Sequence, residues 1–218
     1  MPNHTANVLT VETDDQKLLG TIKNTLASRD DNGQIFALDL NKITKMPEEL
    51  DGISSPPNIF PTQEAVDKEL EKRKKENAEY ASFLGRPITQ EESEALIEKH
   101  GSNNWYDWCL KNWSTKWNAY DVGEWNGNKL YFETAWSPPQ NAMIKLSEQF
   151  PEATFILSFA DEGGGFLGQE IYARGEIAEM LDYEWRSEEG IELRKQLGCY
   201  HEEEEEYYAE ENHNDGEE

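Results

Sequence analysis

The sequence predicts an α+β fold, and three observations carry that prediction. Short apolar–polar alternations occur near the start of the chain and again in its second half, each leading into a stretch of helical spacing. A long, highly charged stretch with few apolar positions lies between them. Aromatic residues are 11% of the 218, although hydrophobic residues are only 36%. A disordered chain lacks aromatics, so a folded core with acidic extensions is expected.

The elements follow in order. "NVLTVET" (7–13) alternates and is β-branched, which reads as a strand. "TDDQ" follows as a capping box, with Thr13 as N-cap and Gln16 three residues on. Leu18, Leu19, Ile22 and Leu26 then keep helical spacing. "DDNG" (30–33) is a turn. "IFALDL" (35–40) alternates again, with Phe36, Leu38 and Leu40 on one face. The first fifty residues are therefore β-α-β.

Residues 51–61, "DGISSPPNIFP", form a linker. The stretch 62–84 has a narrow apolar stripe of Val66, Leu70, Ala81 and Leu84, which predicts a surface helix. "TQEE" (89–92) caps a short helix that stops at Gly101. "NNWYDWCLKNW" (103–113) spaces Trp105, Trp108, Cys109 and Trp113 for a short, heavily buried helix. "KLYFETAW" (129–136) alternates. "SPPQ" (137–140) starts a helix, with Ser137 as N-cap, Pro138 at N1 and Gln140 at N3. Met143, Leu146 and Phe150 form its inner face, and Pro151 ends it. "ATFILSFA" (153–160) and "GFLGQEIYA" (165–173) are strands around "DEGGG". "SEEGIELRKQLG" (187–198) is a last helix stopped by Gly198.

Two β-α-β pieces around one antiparallel sheet make a ferredoxin-like sandwich with helices on one face. Residues 1–200 are read as one domain with a helical insertion at about 60–113. Residues 201–218 are read as an acidic, disordered tail.

Five ordered blocks also resemble a known family. "MPN" at the start, "LNKITKMPEEL" (40–50), "NWSTKWNAYD" (112–121), "TAWSPP" (134–139) and "FADEGGGFLGQ" (159–169) look like the YubB-type family of plasmid and phage proteins. The resemblance spans residues 1 to about 175. It implies a C-terminal ferredoxin-like domain and an origin on a mobile element, and it implies no reaction. The family pattern often has Gly where this chain has Ser114.

Charge narrows the partners. The formal net charge is −25. The last 18 residues hold ten acids and no Lys or Arg, which leaves 35 acids against 20 bases in the remainder, a net of −15. Such a surface repels nucleic-acid phosphates and anionic membranes and attracts basic proteins or cations. Direct nucleic-acid binding and membrane binding are not expected. No apolar run approaches a membrane span, and "MPNHTANVLTV" has no secretory n-region or h-region, so a cytoplasmic location is expected.

Chemistry-bearing motifs are few. Cys109 and Cys199 show no metal spacing and no disulfide framework. His4, His100, His201 and His213 sit in no catalytic or metal-ligating pattern. "DEGGGF" (161–166) lacks the Lys and the following helix of a phosphate loop, and a hairpin turn explains it. A cation at Asp161 and Glu162 would need further oxygen ligands. No cofactor, metal or catalytic constellation is expected.

The polar stretch "NWSTKWNAYDVGEWNG" (112–127) holds Trp113, Trp117, Tyr120 and Trp125. Core packing explains most of these rings. Trp136 continues the alternation of Leu130, Phe132 and Thr134, which favours its burial. The competing reading notes the polar company of Lys116, Asn118, Tyr120 and Asp121. It is a peptide or small-molecule groove floored by Trp117 and Trp136 and rimmed by Asn118 and Asp121, with Tyr120 among its binding residues. The functional expectation is a non-enzymatic phage or plasmid accessory protein that binds a basic host protein, with acidic nucleic-acid mimicry as one mode. The alternative is a peptide or small-molecule binder, or an enzyme, using the Trp117 groove.

Overall fold

A computed structural model describes residues 3–76 and 84–200. The expected acidic tail and the end of the expected helix over 62–84 lie outside the described residues.

The centre is a five-stranded sheet built from His4–Glu12 (β1), Lys129–Ala135 (β6), Thr154–Asp161 (β7), Leu167–Ala173 (β8) and Glu176–Asp182 (β9). Its order is β6-β1-β7-β8-β9, and every pairing is antiparallel. The sequence starts β1 at residue 7, but the strand begins at His4. β1 is the strand between β6 and β7: Leu9 pairs with Leu130 on one side and Leu157 on the other.

Side-chain alternation sorts the sheet into two faces. Thr5, Asn7, Leu9 and Val11 share one face with Leu130, Phe132, Phe155, Leu157 and Tyr172. The helices Gln16–Leu26 (α1) and Gln140–Gln149 (α5) bury Leu19, Ile22, Leu26, Ala142, Met143 and Leu146 in that same cluster. This is the expected helical layer. The helix Glu188–Leu197 (α6) adds a smaller one on the other face, where Leu193 and Leu197 pack with Ala160 and Leu167.

The stretch between β1 and β6 carries the helices Gln63–Glu76 (α2), Gln90–His100 (α3) and Trp105–Trp113 (α4). Two-residue strands Ile59–Phe60 (β4) and Ile88–Thr89 (β5) pair in parallel at the base of α2 and α3. Trp108 and Trp113 are buried as expected, and the Trp113 indole donates to the Thr44 carbonyl at 3.0 Å.

Several expectations are corrected. The strand over 35–40 shrinks to Ile35–Phe36 (β3), which pairs with Ser28–Arg29 (β2) away from the main sheet. Leu38 and Leu40 are buried all the same, because Asp39 N donates to Leu26 O and folds the segment over the end of α1. The N-cap of α1 is Asp15, whose carboxylate accepts from Lys17 N and Leu18 N. Thr13 instead accepts from Asp15 N. Ser137 caps nothing: α5 starts after Pro139, and the Ser114 hydroxyl accepts from Asn141 N in its place.

Candidate functional site

The exposed end of the sheet, where β1 and β6 meet the loop after α4, gathers the site. Ser114 ends α4 in the left-handed region at φ 67°. That turn lays residues 115–117 along the end of β6, where Thr115 Oγ1 and Lys116 N both donate to Ala135 O. Trp136 then takes φ 74°, which ends the alternation of β6 and turns the ring away from the core. Trp136 is 41% exposed, so the expectation that it is buried fails at that one backbone angle.

Trp117 and Trp136 are brought together as expected, with Lys116 between them. The Lys116 ammonium lies 4.6 Å from the Trp117 ring centroid and 4.3 Å from that of Trp136. Tyr106 packs edge-on against Trp136, and Tyr120 packs edge-on against Trp117.

Tyr120 carries the surface on to a second cluster, which the sequence reading missed. The His4 ring stands edge-on to Tyr120, with centroids 5.6 Å apart. His4 Nδ1 lies 3.0 Å from Glu133 Oε2 and 2.8 Å from the Tyr120 hydroxyl. Nδ1–H shared between those two oxygens leaves the Tyr120 O–H free to donate to Thr134 O at 3.2 Å. Tyr131 donates to Glu133 Oε1 at 2.9 Å. His4, Tyr131, Glu133, Glu162 and Cys199 line one open recess of about 360 Å³.

This cluster follows from strand register. His4, Tyr131 and Glu133 occupy the sheet face that α6 only partly covers, and α6 brings Cys199 up just past its end. No local motif announces it. The signal that existed was the backward extension of the alternation from Asn7 to His4.

The electrostatics are negative. Burial, then the charges of Glu133, Asp121 and Glu162, push the Tyr120 phenol up to about 12. The carboxylate charges favour a cation in the same place, whereas the burial, the larger cause, opposes charge of either sign. Burial also raises the Cys199 thiol, and its Sγ donates to Arg194 O at 3.6 Å. A nucleophilic cysteine needs the opposite shift, so the His4–Glu133 pair has no activated thiol beside it. No group of three or more His, Cys, Asp or Glu that could hold a metal occurs among the described residues.

The remaining expected site residues divide. Asp121 contributes charge beside Tyr120. Asn118 does not rim a groove, because its side chain is spent on the fold: Oδ1 accepts from Leu40 N, and Nδ2 donates to Asp39 Oδ1, both at 2.8 Å. "DEGGG" is the expected hairpin turn, with the Asp161 carboxylate accepting from Gly165 N. Two larger recesses lie elsewhere. One of about 600 Å³ runs along the charged side of α2, and one of about 560 Å³ is lined by Glu12, Asp14 and Glu152. Neither combines aromatic faces with polar groups on different strands.

A five-stranded antiparallel sheet with helices packed on it is the class this geometry defines. Residues 112–215 match the family model described as the ferredoxin-like domain in Api92-like protein, and the second half of the chain carries a ferredoxin-like domain. The crystal structure of a protein api92 from Yersinia pseudotuberculosis is similar at 11% sequence identity and a TM-score of 0.43, covering 84% of this chain and 98% of that one. Nothing among curated proteins matches the chain. No helix among the described residues is long and apolar enough to cross a membrane.

Proposed function

We propose that this chain is a non-enzymatic accessory protein of a plasmid or phage that acts in the cytoplasm by binding a basic host protein. The observation that carries the reading is the recess at the sheet end. Glu133 and Glu162 line it and, with Asp121, put negative charge beside Tyr120, and no metal cluster or activated nucleophile accompanies them among the described residues. The YubB-type blocks support the mobile-element origin. The net charge of −25 steers a basic partner in from a distance, and the recess then selects a segment of it.

The Trp117 groove belongs to the same surface through Tyr120, so the peptide-binding alternative becomes part of this reading rather than its rival. Acidic mimicry of nucleic acid adds one demand, that the partner give up DNA or RNA on binding.

The test is a titration with a capped tetra-arginine peptide at low and high salt, in the wild type and in Glu133→Gln and Glu162→Gln variants. Binding that weakens in both variants supports the recess. Equal binding in all three places any attraction elsewhere on the surface and defeats the proposal. Competition with a DNA oligonucleotide for an isolated partner separates mimicry from simple docking.

A further inference from the structure

Among the described residues Lys116 is the one ammonium seated between two exposed indoles, and what it lacks is as informative as what it touches. Among the described residues its Nζ has no carboxylate and no hydrogen-bond acceptor within reach, in a chain with 45 acids. A primary ammonium is strongly hydrated and holds three donors, so a seat made of ring faces alone leaves those donors to water. A guanidinium is planar and more weakly hydrated, and it stacks on indole faces. The seat therefore suits a guanidinium better than the group that occupies it.

The seat is also built. Thr115 and Lys116 are tied to Ala135 O, and Trp136 N donates to Asn3 O at 2.9 Å. The backbone on either side of the seat is thus fixed, and both residues stay part-exposed around Lys116, at 36% for Trp117 and 41% for Trp136. Ring contacts link Trp117 through Tyr120 to His4, which lines the recess with Glu133 and Glu162, so a segment with several cationic side chains can reach both.

We infer that the Trp117–Trp136 seat receives an arginine side chain of the basic partner, and that Lys116 fills the seat in the free protein and is displaced on binding. This rests on the proposed function for the chemistry of the partner. It adds where an arginine goes and what competes with it. Lys116 then acts as a built-in competitor that discriminates against cations which stack poorly.

The experiment is a titration of the same capped tetra-arginine peptide, and of a matched tetra-lysine peptide, followed by tryptophan fluorescence and calorimetry. Lys116→Met empties the seat and should tighten arginine-peptide binding several-fold, with a smaller gain for the lysine peptide. Lys129→Met removes the same charge from an exposed position and measures the effect of charge alone. Trp136→Gly suits the positive φ while deleting one wall, so it should keep the fold by circular dichroism and weaken the arginine peptide several-fold.

If Lys116→Met and Lys129→Met change binding equally, or Trp136→Gly changes nothing, the seat is not used. The effect of Glu133→Gln then shows whether the recess still binds. Loss of response in all variants defeats both proposals. Equal gains for the two peptides, or saturable binding of tetramethylammonium that excludes the arginine peptide, overturn the assignment to a guanidinium.

Discussion

Tyr120 joins the two parts of the site, and its phenol reports first its burial and then the carboxylate charge around it. Its phenol is raised from 10.0 to about 12. Below pH 10 the phenol is protonated in the folded and unfolded chains alike, and its contribution to stability is fully present. Between pH 10 and 12 the unfolded chain ionises first, so the contribution is lost as pH rises through the folded value. The melting temperature of the wild type should therefore fall more steeply from pH 10 to 12 than that of Tyr120→Phe. Parallel curves would show that neither burial nor the neighbouring carboxylates shift this phenol.

The tryptophans separate by backbone rather than by type. Trp113 is 2% exposed and hydrogen-bonded, so Trp113→Ala should cost about 3–5 kcal/mol by denaturant unfolding. Trp117→Ala and Trp136→Ala should each cost about 1 kcal/mol, the size of an exposed cation–π pair. Equal large losses at all three would make the exposed rings packing residues and remove the site. Period-two alternation assigned Trp136 to the core, and it had no means of seeing a single positive φ after Ala135. His4 was passed over for the complementary reason: its partners Glu133 and Tyr120 lie more than a hundred residues away, and only strand pairing brings them to it.

At the scale of elements, Ser114 is the joint between α4 and α5. It closes α4 in the left-handed region, and its hydroxyl accepts from Asn141 N at the start of α5. Ser114→Ala keeps the strained φ and loses the cap, so it should cost about 1 kcal/mol. Ser114→Gly loses the same cap but relieves the backbone, so it should melt closer to the wild type than Ser114→Ala does. An alanine variant as stable as the wild type would remove the capping role. The helix starting at Gln140 was legible from "SPPQ", because prolines sit at helix starts whatever supplies the cap. Its true cap, 27 residues away in sequence, was not legible. The strand over 35–40 failed because alternation marks buried and exposed positions, and a coil folded over a helix end buries Leu38 and Leu40 just as well.

For the whole molecule, the placement of β1 matters most. β6 and β7 do not pair with each other; β1 lies between them and pairs with both. The segment that matches the ferredoxin-like family model, residues 112–215, therefore lacks a central strand of its own sheet. A fragment starting at residue 112 should show no cooperative unfolding transition, and circular dichroism against temperature checks it. A fragment that melts like the intact chain would mean that β1 is an optional addition. Both kinds of element were readable in the chain, but sheet order was not, because strand order is a long-range choice that local periodicity does not encode.

The central claim is that cationic segments bind at one end of the sheet and not over the acidic surface at large. Backbone amide chemical shifts, followed while a capped tetra-arginine peptide is added at moderate salt, test it most directly. Saturable shifts concentrated at His4, Lys116–Tyr120, Tyr131–Trp136 and Gly198–Cys199 are the predicted result. Small shifts spread over α1, α2 and α3 as well, growing without saturation, would contradict it.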